Sequence, residues 1–319
     1  MIVTVTPNPS VDEVYWVDRL KIGKETQEEY LTRATDSDIS AGGKGINISI
    51  FLARMGLENI AMGFVGGYTG HVVVRALRDE GVTTNFVWTG SGETRINLTV
   101  LEHGREHIPI LIDGPGVAVA EGEMNRFMRC YRRMLKVADW VVLAGSLPPR
   151  VNLAFYYELA KLAKQAGVKV AVSAGASCLT HCLPAAPNIV KPDTREHLSF
   201  EWMKLRTKEE IINAGKRIVQ DGVEIMIVSH EVTGDIVITR DNIWEINARV
   251  QTTQFRNLVG ADDALLGGVI YQIHNGAGIE QALRFGLAAG IVSAESREKV
   301  CGDKGKIEHE MANITLNRI

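Results

Sequence analysis

An α/β fold built on a mainly parallel sheet, covered by helices on both faces, is predicted by three features of the sequence. Short β-branched runs such as residues 2–6 alternate with helical stretches of a dozen or so residues. Glycine-bearing turns follow most of the strands, and no repeat or low-complexity linker interrupts the pattern. At 319 residues and 45% hydrophobic, the chain can bury a large core. A net charge of -3 gives no electrostatic reason to expect nucleic acid or an anionic membrane as partner. The start reads as a strand rather than a signal peptide, and no apolar run reaches the roughly 18 residues of a membrane span. The four cysteines, Cys130, Cys178, Cys182 and Cys301, are too few and scattered for a disulfide framework. Cys178 and Cys182 with His181 lack a second ligand pair, so they read as ordinary thiols rather than a metal site. The expectation is a cytoplasmic globular protein.

In order, residues 2–6 form a strand ending at Pro7-Asn8-Pro9. Residues 12–40 are polar and weakly alternating, which predicts short strands standing apart from the main core. Gly42, Gly43, Lys44 and Gly45 open a helix that Gly56 closes. Strand 61–65 leads through Gly66-Gly67 into a helix ending at Asp79. Residues 87–112 return to strand-like text and predict the other half of the small sheet. Helix 121–137, strand 140–144, helix 152–166 and strand 168–172 follow. Further strands are expected at 189–190, 224–229, 236–239 and 244–247. The prediction is one α/β domain, residues 1–319, with a β-sheet lid made of residues 12–40 and 87–112.

The most informative stretch is Gly260-Ala261-Asp262-Asp263, running into an apolar, Gly/Ala-rich segment that reads as a buried helix. Small residues at a helix start let backbone N–H groups approach a ligand, and the helix dipole favours an anion there. A carboxylate in that first turn can cap the helix. Beside a bound phosphate and a hydroxyl, it can instead take the hydroxyl's proton. Each glycine-bearing motif is read as following a strand, and α/β sheets bind ligands beyond their strands' carboxyl ends. Residues 66–70 do not match the dinucleotide fingerprint Gly-x-Gly-x-x-Gly, which sets aside an NAD-binding reading.

Residues 6–12, 41–48 and 145–149, Lys191-Pro192 with Glu196, and residues 260–263 occur in an ordered set. In these the chain resembles the PfkB/ribokinase carbohydrate kinases over essentially its whole length. Within them it is most similar to the 1-phosphofructokinase and tagatose-6-phosphate kinase branch. The resemblance implies a ribokinase-like three-layer α/β/α sandwich and ATP-dependent, Mg²⁺-requiring phosphorylation of a sugar-phosphate hydroxyl. Fructose 1-phosphate leads as acceptor; tagatose 6-phosphate and fructose 6-phosphate follow. It also implies Asp263 as the base and the backbone of Gly260, Ala261, Asp262 and Asp263 as the anion hole. Asp12, Gly42, Gly43, Lys44, Asn47, Arg95 and Ser146 would then hold the acceptor. Lys191, Ser229, Glu231, Gly234 and Gly260 would flank the nucleotide, with Glu196 and Asp193 serving Mg²⁺.

The sequence also departs from the family pattern. Asp262 and Glu231 stand at usual glycine positions, where a carboxylate could repel a triphosphate. Thr26-Gln27 and the apolar 108–111 replace polar and cationic lid positions, leaving Arg95, Lys44 and Arg105 as phosphate partners. These departures motivate a second reading, a degenerate member that binds sugar or nucleotide without turnover. Val14 and Trp16 on one strand face, with the 108–112 run, predict a homodimer through the lid sheets.

Overall fold

The computed structural model describes residues 1–21, 31–105, 108–193, 199–200, 203–204, 207–231 and 233–319. The first half of the chain runs β1 (Ile2–Thr6), β2 (Ser10–Val17), β3 (Asp36–Gly42), α1 (Lys44–Arg54), β4 (Asn59–Val65) and α2 (Gly67–Asp79). It continues with β5 (Thr83–Trp88), β6 (Arg95–Glu102), β7 (Ile110–Asp113), α3 (Glu121–Met134), β8 (Trp140–Ala144) and α4 (Phe155–Gln165). Next come β9 (Lys169–Ala174), α5 (Ala176–Cys182), β10 (Ile189–Pro192), a short hairpin β11 (Ser199–Phe200) and β12 (Met203–Lys204), and α6 (Lys208–Gln220). The last stretch holds β13 (Ile225–Glu231), β14 (Gly234–Thr239), β15 (Ile243–Ala248), α7 (Ala261–His274), α8 (Ile279–Ala294), α9 (Lys304–Glu310) and β16 (Ile314–Arg318).

Ten strands form one sheet in the order β16-β15-β14-β13-β10-β9-β8-β1-β4-β5. Pairing is parallel from β13 to β5, whereas β13 through β16 pair antiparallel. Side chains alternate between two cores, as the period of a strand requires. Ile2, Val142 and Ile227 pack on the face carrying α1, α7 and α8, while Val3, Val5, Leu143 and Met226 pack on the face carrying α3, α4 and α6. These are the predicted three layers. The chain leaves β1 toward β4 on one side, and β8 inserts on the other, so the strand order reverses at β1. A crevice opens beyond the carboxyl ends at such a point.

Helix α7 is buried along its first three turns, because its glycines admit close neighbours. A Cβ on Gly267 would meet the Phe51 ring of α1 at 2.8 Å, and one on Gly268 would meet the Gly286 Cα of α8 at 3.0 Å. No described helix is long and apolar enough to cross a membrane.

The small sheet has the order β3-β2-β6-β7. Residues 87–88 belong instead to β5, an edge strand of the large sheet, so the second excursion starts at β6. Val14 is buried and Trp16 is covered by the Arg297 guanidinium, 5.0 Å from its ring centre. The open apolar face is carried by Ile39, Ile96, Ile108, Ile110 and Ile112, whereas Leu111 points to the other face and lines the cavity. The departures at Thr26-Gln27 lie outside the described residues.

Candidate active site

A cavity of about 740 Å³ opens at the carboxyl edge of the large sheet, beneath β2, β6 and β7 of the small one. The sequence-predicted Asp12, Gly43, Lys44, Asn47, Arg95, Ser146, Asp193, Ser229, Glu231, Gly234 and residues 260–263 all line it. Gly42 and Lys191 stand behind its wall. Glu196 lies outside the described residues. Ser229 and Gly234 are strand residues of the β13–β14 hairpin rather than loop residues. Residues 260–263 do not follow a strand directly, since a stretch with a 3₁₀ turn separates β15 from α7. Arg105 sits on an exposed turn beside Glu102, away from the cavity, which removes it as a phosphate partner.

The floor is the start of α7. Gly260 caps it with φ +88°, a left-handed conformation that glycine adopts freely. A Cβ there would also lie 2.4 Å from the Lys299 carbonyl oxygen. The Ala261 amide donates to Leu258 O at 3.4 Å and the Asp263 amide to Gly260 O at 3.1 Å. Of the four predicted anion-hole amides, those of Gly260 and Asp262 have no hydrogen-bond partner among the described residues. Asp263, 4% exposed, accepts from Asn47 Nδ2 at 2.8 Å. Lys44 Nζ lies 3.2 Å from Asp193 Oδ2 and 3.9 Å from Asp263 Oδ1, so one ammonium serves two carboxylates. Asn47 Oδ1 is buried without a hydrogen-bond partner among the described residues. Such an acceptor costs free energy unless a ligand fills it.

Both residues that place Lys44 and Asn47 depend on glycine. Gly43 caps α1 at φ +112°, and a Cβ there would strike the Thr6 methyl at 2.8 Å. A Cβ on Gly42 would sit 2.2 Å from the Asp12 carboxyl.

A second cluster surrounds Lys191, which is 1% exposed. Its ammonium donates to Ser229 Oγ at 2.8 Å and to Asp262 Oδ1 at 3.0 Å. The Ser229 hydroxyl also lies within 2.8 Å of Asp235 Oδ1 and 3.1 Å of Asp262 Oδ1. Burial alone would lower the Lys191 pKa, but Asp262 and Asp235 raise it above the ordinary value. Burial opposes ionisation of Asp262 too; Lys191 and Lys44 overcome it and hold the carboxyl below its usual range. Asp235 is pushed up by burial, with Lys191 opposing and Asp262 adding to the shift. Asp262 is therefore an ion-paired residue of the cavity wall, not a bare repulsive charge.

On the small-sheet side, Asp12 Oδ1 accepts from Ser10 Oγ at 2.5 Å and from Asn97 Nδ2 at 3.1 Å. Arg95 is braced by donation to the Asn8 carbonyl at 3.1 Å and the Gly114 carbonyl at 3.3 Å. Asn8 lies 3.3 Å from Ser146 Oγ and 3.4 Å from the Leu147 carbonyl, tying two loops together. Asn97, Asp235 and Lys299 were not singled out by sequence. Asn97 carried a signal, since it lies two residues from Arg95 and shares its strand face.

The comparisons with known proteins agree with this geometry. A model described as pfkB family carbohydrate kinase matches residues 6–300. The 1-phosphofructokinase of Bacillus subtilis is 32% identical over 319 residues, covering 100% of both chains. The D-tagatose-1-phosphate kinase of Bacillus licheniformis is 29% identical, again covering 100% of both. The crystal structure of a possible 1-phosphofructokinase from Thermotoga maritima matches with a TM-score of 0.90 at 34% identity, covering 100% of this chain and 99% of that one. With motifs, fold and full-length relatives in agreement, the chain belongs to the pfkB family and is a carbohydrate kinase.

Proposed function

We propose that this kinase transfers the γ-phosphoryl group of ATP to a hydroxyl of fructose 1-phosphate, giving fructose 1,6-bisphosphate and ADP. The observation that carries the reading is the buried Asp263 carboxylate at the start of α7, held by Asn47 between Lys44 and two open amides. Asp263 takes the acceptor's hydroxyl proton as the oxygen–phosphorus bond forms and the bond to the ADP oxygen breaks. The Gly260 and Asp262 amides, at the positive end of α7, hold charge developing on the transferred group. Lys44 neutralises the same charge from the opposite side. Asp12 and the orphan Asn47 Oδ1 bind sugar hydroxyls, and Gly42 and Gly43 let the backbone come close. Arg95 faces the acceptor phosphate, with Ser146 beside it. Lys191, Ser229, Glu231 and Gly234 flank the nucleotide.

The site fits Mg²⁺ as a phosphate-bound ion. Mg²⁺ takes one or two carboxylates, the phosphates and several waters rather than a full protein cage. Among the described residues no three candidate ligands cluster, and Asp193, with Glu196 three positions further along the chain, supplies the carboxylate side. When bound, Mg²⁺ would neutralise charge on the bridging phosphate oxygens. The small sheet serves as a lid over the acceptor. Its exposed Ile39, Ile96, Ile110 and Ile112 face pairs with a second copy of the chain, and the protein works in the cytoplasm. Sedimentation at micromolar concentration should give twice the 35.0 kDa chain mass; a single-chain mass would remove the dimer.

The D-tagatose-1-phosphate kinase likeness supports a second ketohexose 1-phosphate acceptor. A coupled ADP-release assay tests both, together with tagatose 6-phosphate, fructose 6-phosphate and unphosphorylated fructose. Turnover with fructose 1-phosphate above the others supports the assignment. Silence across the panel, with ligand-induced thermal shifts intact, would favour a non-catalytic binder.

Asp262→Ala should lower the KM for MgATP several-fold and reduce the melting temperature of the ligand-free protein. The carboxylate holds Lys191 while no phosphate is present, and its removal leaves that ammonium for the nucleotide. A raised KM would instead mean that the nucleotide site is built around the Asp262 carboxylate.

A further inference from the structure

The stretch that follows α8 joins the small sheet to the helical body through four successive residues. Arg297 pairs with Asp36 and covers Trp16. Glu298 pairs with Arg54 of α1, whose guanidinium also donates to the Val300 carbonyl at 2.6 Å. Between them Lys299 points inward and is 8% exposed. Its ammonium donates to Asp12 Oδ2 at 2.7 Å and to the Ala41 carbonyl at 2.9 Å. Its own carbonyl oxygen covers Gly260, the cap of α7.

We infer that Lys299 is a positioning residue that fixes the Asp12 carboxylate for the acceptor sugar and limits how many hydroxyls it can accept. The inference rests on Asp12 being an acceptor ligand, as proposed above. An ionised carboxylate offers about four lone-pair sites. Ser10, Asn97 and Lys299 occupy three of them, which leaves one for a ligand hydroxyl. The Lys299 ammonium sits 2.7 Å from Asp12 Oδ2, so the pair holds the carboxylate in one orientation. A buried ion pair is a weak device for stability, because an apolar pair of equal volume serves as well. Its position argues for the site instead. One residue touches the Asp12 carboxylate, the strand leading to Gly42 and Gly43, and the cap of the phosphate-facing helix.

Steady-state kinetics with fructose 1-phosphate and MgATP test this on four variants of the full chain. Lys299→Met should raise the KM for fructose 1-phosphate at least about tenfold, the scale of a lost charged hydrogen bond, and leave the MgATP KM within about twofold. Lys299→Gln keeps a neutral donor and should give a smaller rise, again confined to the sugar; it carries the test if the methionine variant does not fold. Arg297→Ala, on the exposed side of the same stretch, should leave both KM values unchanged. Asp12→Asn should raise the sugar KM by itself. If it does and neither Lys299 variant moves that KM, the role of Lys299 is overturned while that of Asp12 stands. If Asp12→Asn leaves the sugar KM unmoved, the acceptor reading of Asp12 fails and the Lys299 inference falls with it. Equal rises in the sugar and MgATP KM values would mark Lys299 as merely structural and overturn the inference.

Discussion

Asp263→Asn should turn over about a thousandfold more slowly than the wild type while binding fructose 1-phosphate and MgATP with nearly unchanged affinity. The substitution is isosteric, and the site is built to keep the side chain in place. Asp263 is 4% exposed, sits in the first turn of α7 and accepts from Asn47 Nδ2 at 2.8 Å. In the proposed function, ground-state binding is assigned to other groups, namely Asp12, Arg95 and Lys191. An amide in place of the carboxylate cannot take a proton, so the loss appears in kcat and leaves the KM values nearly fixed. Part of the loss also reflects Lys44, whose ammonium lies 3.9 Å from Asp263 Oδ1 and would face a neutral group. Isothermal titration with each substrate separates the two contributions from binding. A variant retaining more than a tenth of wild-type kcat would remove Asp263 from the role of base. Equal collapse of binding and turnover would make it a substrate anchor instead.

Much of the architecture could be read from local pattern, because the patterns that make strands and buried helices are local. Residues 2–6 and 140–144 read as buried strands, and both place alternate residues in the two cores. The glycines at 42, 43 and 260 pointed to close approach, and each has a side chain or carbonyl where a Cβ would stand. The boundary at Val87 failed for a physical reason. Residues 83–88 carry the same β-forming threonine, valine and aromatic residues as the small-sheet strands, and only pairing with β4 assigns them to the large sheet. Asp262 shows the other limit. Its sequence neighbours made it a negative charge at an anion site. Its partner Lys191 is 71 positions away and came into view only with the fold. Lys299 and Asp12 are 287 positions apart. Composition carries no trace of such a pairing, since a lysine after a helix reads as solvated in isolation.

Lys191→Met should cost about 3 kcal/mol of folding stability at neutral pH, the low end for breaking a buried ion pair. The low end applies because the Asp262 side chain keeps 37% of its surface in solvent, which screens part of the interaction. What remains after substitution is a pair of carboxylates, Asp235 and Asp262, both within 3.1 Å of one Ser229 hydroxyl that can donate to only one of them at a time. The pH dependence follows from the direction of each shift. In the wild type the Asp262 pKa is lowered, so its contribution is present above the ordinary value of 3.8 and is lost as pH falls through its folded pKa. Without Lys191 most of that contribution is gone, only Lys44 and Ser229 still favouring the Asp262 carboxylate, and mutual repulsion pushes both carboxyl pKa values upward. Protonation then relieves the variant at a pH where the wild type is still fully stabilised. The gap between the two urea midpoints should therefore be widest near pH 7 and narrow toward about pH 4.5. Adding Asp262→Ala to Lys191→Met should restore part of the loss, since it removes one of the two uncompensated charges. A gap that is independent of pH, or a double variant weaker than the single one by the full cost of Asp262→Ala alone, would mean that Lys191 acts through packing and not through its charge.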